Sequence, residues 1–415
     1  MAATKRKPDS TQDLLHRHAK VPRLDECEGE GVSSKPSCEP SHASQDTLLS
    51  LLDLSTLSTQ EEISSRLREI AQSILHGHRL IISQDGKVTE YEILELECYL
   101  IKPGYHEDPF THGSAEQRRS GCWYFHRAPR RTNETDMATR APTAAGGYRG
   151  GSRKGLDLTL GSPVPDIPSR YFTSPSEPQI APDTSIQAHG GALLRSLRRI
   201  SDNKVISGPS LLVDEVLRVG KASNISELIS KLWDGDTAAF HSLQNTSPRS
   251  TAMFFKPITN DGSNKPPVMP PKIYQSPRIG LDLSHSSIPV PANNSIDSII
   301  PVLSHPRGVY VSKPYRFFVH PHLLTANGRG QTFLGVYKAL IETETNTPEI
   351  QARIVKLMGL SVSSVTKYLE EYRTAKAGGQ LKSFVGSSGK GVSASPSSFL
   401  KLMGTLERLA NITTN

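Results

Sequence analysis

The stretch Tyr91-Glu-Ile-Leu-Glu-Leu-Glu-Cys-Tyr-Leu-Ile101 decides the fold of this chain. Its apolar and polar residues alternate, as in a β-strand, where successive side chains point to opposite faces. The face that we expect in the core consists of Leu94, Leu96, Cys98 and Leu100. The opposite face carries Glu95, Glu97 and Tyr99. Two carboxylates and an aromatic ring on one ordered strand indicate either a solvated surface or a functional site.

The residues before this strand predict a helix and a hairpin. Ser58-Thr-Gln-Glu61 has the form of a capping box, and apolar residues follow it at spacings of four, three and four. Gly77 is placed to end that helix. A short strand at 80–83 and the turn Gln84-Asp-Gly86 then lead into the long strand.

The composition indicates one core with long polar additions. Of 415 residues, only 36% are hydrophobic, while 30 are Pro and 31 are Gly. We therefore expect one domain at 47–328 with a core of roughly 200–250 residues. Residues 1–46 are polar and basic and predict a disordered tail. Low-complexity inserts are predicted near 128–147, 162–186, 242–272 and 284–300.

Charge and cysteine usage exclude several classes of protein. The formal net charge of +7 suits a polyanionic partner. The four cysteines form no CxxC pair, so the sequence predicts neither a disulfide framework nor a zinc knuckle. No apolar run approaches the length of a membrane span, and the N-terminus lacks the pattern of a secretory signal. Lys5-Arg-Lys-Pro8 resembles a nuclear import signal, which predicts a nuclear protein.

The segment from Arg118 to Lys154 is a candidate nucleic-acid contact. It contains nine Arg or Lys residues and only two acidic ones. Gly146 to Gly155 is a glycine-rich basic loop without P-loop spacing, because no helix pattern follows it. The loop is either a flexible turn or a backbone that approaches phosphates. Arg195 lies inside the apolar run Gly190–Leu197, where its charge requires a carboxylate, a phosphate or exposure.

Residues 329–415 predict a small helical C-terminal extension. Within it, 350–372 has the form of a helix-turn-helix with Gly359 in the turn. In that arrangement Val355, Val365 and Leu369 point inward, and the exposed residues of the second helix are Ser363, Ser364, Thr366 and Lys367. An ordinary helical hairpin explains the same pattern, so DNA binding by this region is left open.

Six short motifs, in one order, resemble the methylpurine (alkyladenine, or 3-methyladenine) DNA glycosylases across roughly residues 80–325. They are Glu95-Leu-Glu-Cys-Tyr99, Asp108-Pro-Phe-Thr-His112, Ala192-Leu-Leu-Arg-Ser196, Gly208-Pro-Ser-Leu-Leu212, Arg278-Ile-Gly280 and Lys313-Pro-Tyr-Arg-Phe317. The resemblance implies an α/β fold of the α+β type. Its expected form is a single domain with a curved, mostly antiparallel mixed sheet and flanking helices.

The resemblance also implies a function and a set of residues. Glu97 would activate the water that cleaves the N-glycosidic bond of a damaged purine, and Tyr99 and His112 would hold the flipped base. Arg195 would contact a backbone phosphate. Further phosphate contacts are expected from Arg118, Arg119, Arg149, Arg153 and Lys154. The expected partner is double-stranded DNA with damaged bases, the expected protein is a monomer, and no metal or organic cofactor is expected.

The sequence departs from this family at two positions: the residue that wedges into the DNA and the residue that contacts the flipped base. The family has an aromatic wedge before a glycine, whereas Lys154 precedes Gly155 here. The family's strand ends on an Asn beside the base, whereas this strand ends Thr159-Leu-Gly161. Asp157, inside the strand, is a candidate substitute for that contact.

Two other functions compete with the glycosylase hypothesis. The first is a metal-dependent hydrolase that uses His106, Asp108, His112 and Glu97 as ligands. The second is a non-catalytic nucleic-acid-binding protein that retains the basic loops. A glycosylase requires Glu97 at the floor of a pocket beside Tyr99 and His112, whereas a binder leaves Glu97 paired with an arginine.

Overall fold

The computed structural model describes residues 45–128, 147–162, 188–240, 251–259, 269–324 and 327–413. The predicted import signal, the predicted disordered tail up to residue 44, and nearly all of the predicted inserts at 128–147 and 162–186 lie outside these residues.

Ten β-strands are present in the described residues. They are β1 (His78–Gln84), β2 (Lys87–Lys102), β3 (His106–Glu107), β4 (Trp123–Phe125), β5 (Leu156–Leu160), β6 (His189–Arg199), β7 (Val205–Ser207), β8 (Thr251–Pro257), β9 (Tyr274–Ser276) and β10 (Arg316–Phe318). The α-helices in the same residues are α1 (Gln45–Leu51), α2 (Gln60–Gly77), α3 (Pro209–Val219), α4 (Ile225–Glu227), α5 (Ile296–Leu303), α6 (Pro306–Val311), α7 (Arg329–Ile341), α8 (Thr347–Met358), α9 (Val362–Gly378) and α10 (Pro396–Thr413).

The strand that contains residues 91–101 lies at the centre of the sheet. β2 is central in the order β4-β5-β6-β2-β1-β8. It pairs along one edge with β6, and along the other edge first with β1 and then with β10. All pairings between these strands are antiparallel, and the sheet curls into a half-barrel. The long, continuous β2 therefore holds its central residues between two neighbours.

The helix before β1 forms where the sequence predicts it, with its cap one residue later. The N-cap is Thr59, whose side chain accepts a hydrogen bond from the backbone of Glu62. The Glu62 carboxylate in turn accepts the Thr59 backbone N–H. The prediction of Ser58 and Glu61 was wrong by one position, because the overlapping Thr59-x-x-Glu62 is an equally good box. The helix ends at Gly77, as predicted.

The fold class is confirmed as a mixed α/β protein of the α+β type. α2 packs against β1 and β2 and covers the apolar face of β2. Leu94, Leu96, Cys98 and Leu100 are completely buried there. The same apolar core continues into α7 and α10. Across the ranges that the structure describes, no helix has both the length and the apolar character to span a membrane.

Three local predictions were wrong. β8 lies inside the predicted insert at 242–272, because Met253 and Phe255 alternate into the core between polar flanks. The sequence Ser276-Pro-Arg-Ile-Gly-Leu-Asp282 also predicts a short strand, but the strand that forms is β9, which ends at Ser276. The Gly-, Ser- and Lys-rich sequence at 375–398 also predicts a linker, but this segment contains short 3-10 turns that bury Leu381 and Phe384. The errors at β8 and at 375–398 have the same cause, since Gly, Ser and Pro obscured a few anchoring apolar residues, whereas the strand at 276–282 was overpredicted.

The C-terminal helices have the predicted helix-turn-helix order. α8 ends at Gly359, which adopts the left-handed conformation with φ +64°, and α9 begins with Ser361 as its cap. Val365 and Leu369 are buried, while Ser363, Thr366 and Lys367 are exposed, as predicted. Val355 and Ser364 are only partly buried, so the prediction was not met at these two positions. Whether this hairpin contacts DNA stays a prediction.

Candidate functional site

Glu97 lies at the middle of β2 and is completely buried. One carboxylate oxygen, Oε1, accepts the backbone N–H of Ile279 at 2.7 Å. The other oxygen, Oε2, accepts the Tyr99 hydroxyl at 2.8 Å and an Arg195 N–H at 3.2 Å. Three donors from three segments therefore fix the orientation of this carboxylate.

Glu95 is the second carboxylate of this face, and it acts as a counter-charge for two arginines. Its Oε1 accepts N–H groups from Arg195 at 3.1 Å and from Arg316 at 2.6 Å. Its Oε2 accepts the Ser196 hydroxyl at 2.6 Å. Burial raises the pKa of Glu95, but the charges of Arg316 and Arg195 outweigh burial and hold that pKa below its ordinary value. Glu95 is therefore ionised at neutral pH, and hydrogen bonds from protein side chains occupy both of its carboxylate oxygens.

A second buried ion pair supports Tyr99 from behind. Asp108 and Arg278 are both inaccessible to solvent and pair through two guanidinium nitrogens. The guanidinium of Arg278 lies 4.4 Å from the centre of the Tyr99 ring. Arg278 also donates to the backbone carbonyl of Cys98 at 3.0 Å. The ring of Tyr99, which is only partly buried, thus has a rigid cationic support.

The ligands proposed for a metal-dependent hydrolase are committed to other contacts. His106 uses both ring nitrogens, one with the Leu100 carbonyl and one with the Tyr315 hydroxyl, each at 2.9 Å. Asp108 is paired with Arg278. Among the described residues, no three His, Cys, Asp or Glu side chains converge as a metal site would require. The metal-hydrolase hypothesis therefore finds no ligand set in that part of the chain.

His112 and Asp157 are connected through His126, which was not among the residues singled out from the sequence. The rings of His112 and His126 lie 4.4 Å apart between centres. His126 Nε2 contacts Asp157 Oδ1 at 2.9 Å, and Gln117 donates to Asp157 Oδ2 at 3.1 Å. Burial, with the nearby His126, lowers the pKa of His112 to about 4. His112 is therefore a neutral ring at physiological pH.

The sheet register places Glu97 and Asp157 on one face of the sheet. Leu193 of β6 pairs with Glu97 on one side and with Asp157 on the other. Two strand spacings separate those positions, which is roughly 10 Å. Gly191 similarly lies between Tyr99 and Thr159.

Two glycines leave room for this arrangement. A Cβ on Gly191 would lie 2.8 Å from the Asp157 Cβ, so the Asp157 side chain occupies the space over Gly191. A Cβ on Gly155 would lie 2.5 Å from the His126 ring, so that ring rests on the glycine backbone.

The basic residues expected to contact DNA differ in their surroundings. Arg119 and Arg153 are exposed, while Arg118 and Arg149 are partly buried. Lys154 pairs with Asp214 on α3, which reduces its free charge. Arg195 is almost fully buried and directs its guanidinium at Glu95 and Glu97. These two carboxylates therefore balance the buried charge of Arg195. A phosphate contact by Arg195 stays a prediction.

The sequence predicted Glu97 and Tyr99 on one face and Arg195 at a phosphate, whereas in the structure Glu97 contacts both Tyr99 and Arg195. The pairing of Glu97 with an arginine is the feature that the sequence analysis expected of a non-catalytic binder. The roles of Gln117, His126 and the buried counter-ions were not predicted. The signal for His126 was its position one residue after β4, beside the strand that carries Asp157. A cleft of about 580 Å³ is lined by residues such as Gln275, Leu334 and Leu406, and Glu97 is not part of its lining.

Comparison with known proteins gives a relative but no activity. No family model matches this sequence. An uncharacterized protein of Acanthamoeba polyphaga mimivirus is 29% identical over 195 residues, which cover 46% of this chain and 69% of the viral protein. Nearly half of the present chain is thus similar to a viral protein whose name states no function.

Proposed function

We propose that this protein is a monofunctional DNA glycosylase that removes damaged, alkylated or deaminated purines from double-stranded DNA. The observation that carries the proposal is the orientation of Glu97 by Ile279, Tyr99 and Arg195 on a central strand of the sheet. An oriented carboxylate is what a general base for water requires.

The proposed reaction uses water as the nucleophile. The water oxygen forms a bond to the sugar C1′ while Glu97 accepts a proton from the water. The bond between C1′ and the purine nitrogen breaks, and its electron pair leaves with the base. Tyr99, supported by Arg278, and the neutral ring of His112 would provide flat surfaces for a base that has left the stack.

Access to Glu97 requires a local displacement. The carboxylate is fully covered, and the backbone of Ile279 is one of its covers. The proposal therefore includes a shift of the segment after Arg278 when DNA binds. Gly280, at φ +85°, and the partly exposed Ile279 lie in this segment, while the Arg278–Asp108 pair anchors its beginning.

The full engagement of both carboxylates supports a second candidate function, a non-catalytic nucleic-acid-binding protein. Glu95 and Glu97 share Arg195, and a buried ion pair of this kind can be purely structural. In that case Arg119, Arg149 and Arg153 contact phosphates, and no bond is cleaved.

Base release separates the two candidates. The purified protein is incubated with duplexes that contain hypoxanthine, ethenoadenine or 7-methylguanine, and abasic sites are detected by alkaline strand cleavage. A glycosylase produces abasic sites with at least one lesion and none with the undamaged duplex. Binding to these duplexes without release from any of them would support the non-catalytic candidate instead.

A further inference from the structure

The helix pair α8 and α9 is a surface element that the proposed function does not use. Gly359, Leu360 and Ser361 are the three residues between the two helices. A turn of three or four residues, often with a glycine, joins the two helices of the helix-turn-helix motif of DNA-binding proteins. Gly359 has a φ of +64°, a left-handed conformation that glycine adopts without strain. The length and the backbone of this connection therefore match the motif.

The inner sides of α8 and α9 are held in the core. Ile354 on α8 and Val365 on α9 are completely buried, and Leu360 of the turn packs against the same core. Further along α9, the Tyr372 hydroxyl donates to Glu407 of α10. The two helices are therefore fixed to the rest of the fold, and the outer face of α9 is presented on a rigid support.

The first two turns of α9 present side chains of the kind that contact base edges. Val362 is 61% exposed, and Ser363, Thr366 and Lys367 are exposed as well. Residues 362 and 366, like residues 363 and 367, are four apart and lie on one side of the helix. Hydroxyl and ammonium groups can donate to the acceptors of the major groove, and an apolar side chain can contact a thymine methyl group. In the motif, the N-terminal residues of the second helix make these contacts.

The charge of this part of the chain suits a polyanion. Residues 329–415 contain eleven Lys or Arg and six Glu, so they carry a net charge of +5, whereas the whole chain carries +7. Lys356 on α8 and Lys367 on α9 are exposed, and among the described residues neither forms an ion pair. The acidic Glu370 lies one turn after Lys367. The exposed side of the helix pair next to the turn is therefore mainly basic and hydroxylic, as a DNA contact requires.

We propose that α8 and α9 form a second DNA contact, in which the first two turns of α9 enter the major groove of an undamaged duplex and recognise a short base sequence. Val362 and Thr366 would contact base edges, and Lys356, on the helix that crosses the backbone in this motif, would contact a phosphate. The inference goes beyond the proposed function and does not rest on it, because this contact needs neither a lesion nor Glu97.

The test uses the full chain and undamaged DNA. The wild type selects from a pool of random-sequence duplexes, and anisotropy then compares the enriched duplex with a scrambled version of it. The variant combines Val362→Ala with Thr366→Ala, and it should fold because both side chains are exposed. The control is Thr374→Ala, since Thr374 is an exposed threonine of α9 that lies roughly 12 Å further along the helix.

We expect the wild type and Thr374→Ala to bind the enriched duplex at least about tenfold more tightly than the scrambled one. The double variant should lose at least about fivefold of that preference, while its affinity for the scrambled duplex changes less than about threefold, because base contacts give specificity and phosphate contacts give affinity. No enriched sequence, or a preference that the double variant retains, would overturn the inference. The helix pair would then be a packing element or a protein contact.

Base release distinguishes a failure of this inference from a failure of the proposed function. Hypoxanthine is placed in the scrambled duplex, and release is measured with the wild type and the double variant. A sequence preference without any release would refute the proposed function and leave the second DNA contact intact. Release at equal rates by both proteins, without any sequence preference, would overturn this inference alone.

Discussion

Replacing Asp108 by Asn should destabilise the fold severely, because it removes the counter-charge of a completely buried arginine. Asp108 and Arg278 are both 0% exposed. Arg278 also contacts the Cys98 carbonyl and the Tyr99 ring, so its guanidinium cannot move into solvent without breaking these contacts. Loss of one partner of a buried pair costs about 3–5 kcal/mol. That loss is a large share of the 5–15 kcal/mol that typically stabilises a folded protein.

Urea unfolding followed by circular dichroism measures this loss. With a slope near 3 kcal/mol per molar urea, the unfolding midpoint should fall by about 1–1.7 M. Asp202→Asn is the matched control, since Asp202 pairs with Arg199 at 2.8 Å but is 48% exposed. The control should change stability by less than about 1 kcal/mol. Equal midpoints for the two variants would refute the reasoning, because burial would then make no difference to the pair.

Three further predictions follow from the same geometry. Burial lowers the pKa of His112 from 6.5 to about 4. As pH falls, this histidine is therefore protonated in the unfolded chain before it is protonated in the folded protein. The free energy of unfolding should then decrease between pH 6.5 and 4 by up to about 3 kcal/mol. His112→Gln should remove that part of the decrease in urea unfolding at pH 7 and pH 4.5, and an unchanged decrease would contradict the assignment. Gly155→Ala should lower the free energy of unfolding by about 1–3 kcal/mol, because the added Cβ would clash with the His126 ring. The control Gly113→Ala should leave stability unchanged, since no atom of the described residues lies within 4 Å of its added Cβ. Equal thermal midpoints for the two variants would argue against the contact between Gly155 and His126. Tyr99→Ala should weaken lesion-duplex binding by about 1–3 kcal/mol in anisotropy titrations, while Tyr99→Phe should bind normally, and equal weakening would assign the effect to the hydroxyl instead of the ring.

The central strand and its two faces were predictable because a period of two residues is a local property. The alternation from Leu94 to Leu100 identified both the core face and the face with Glu97, whereas the β-bulge just before it, between Ile93 and Leu96, was not predicted. The helix that covers the core face was also predictable, from spacing and caps within one segment. These features depend on neighbours in the chain and not on the rest of the fold.

The partners of the site residues were not predictable from the sequence. Arg195 is 98 residues from Glu97, and Arg316 is 221 residues from Glu95, so only the sheet order brings them together. β8 was missed because its few apolar residues lie between polar segments. Burial of Glu97 behind Ile279 depends on a loop conformation that no periodicity encodes.

The most direct test of the central claim is single-turnover base release by Glu97→Gln compared with Glu90→Gln. Both residues lie on β2, and both substitutions remove one negative charge with little change of shape. Glu90 is substantially exposed and makes only a long ion pair with Lys256 at 3.7 Å. If Glu97 activates water, Glu97→Gln should lower the release rate by at least about 100-fold with duplex affinity retained, while Glu90→Gln should behave as wild type. Release by Glu97→Gln at the wild-type rate would contradict the assignment of Glu97 as the catalytic base.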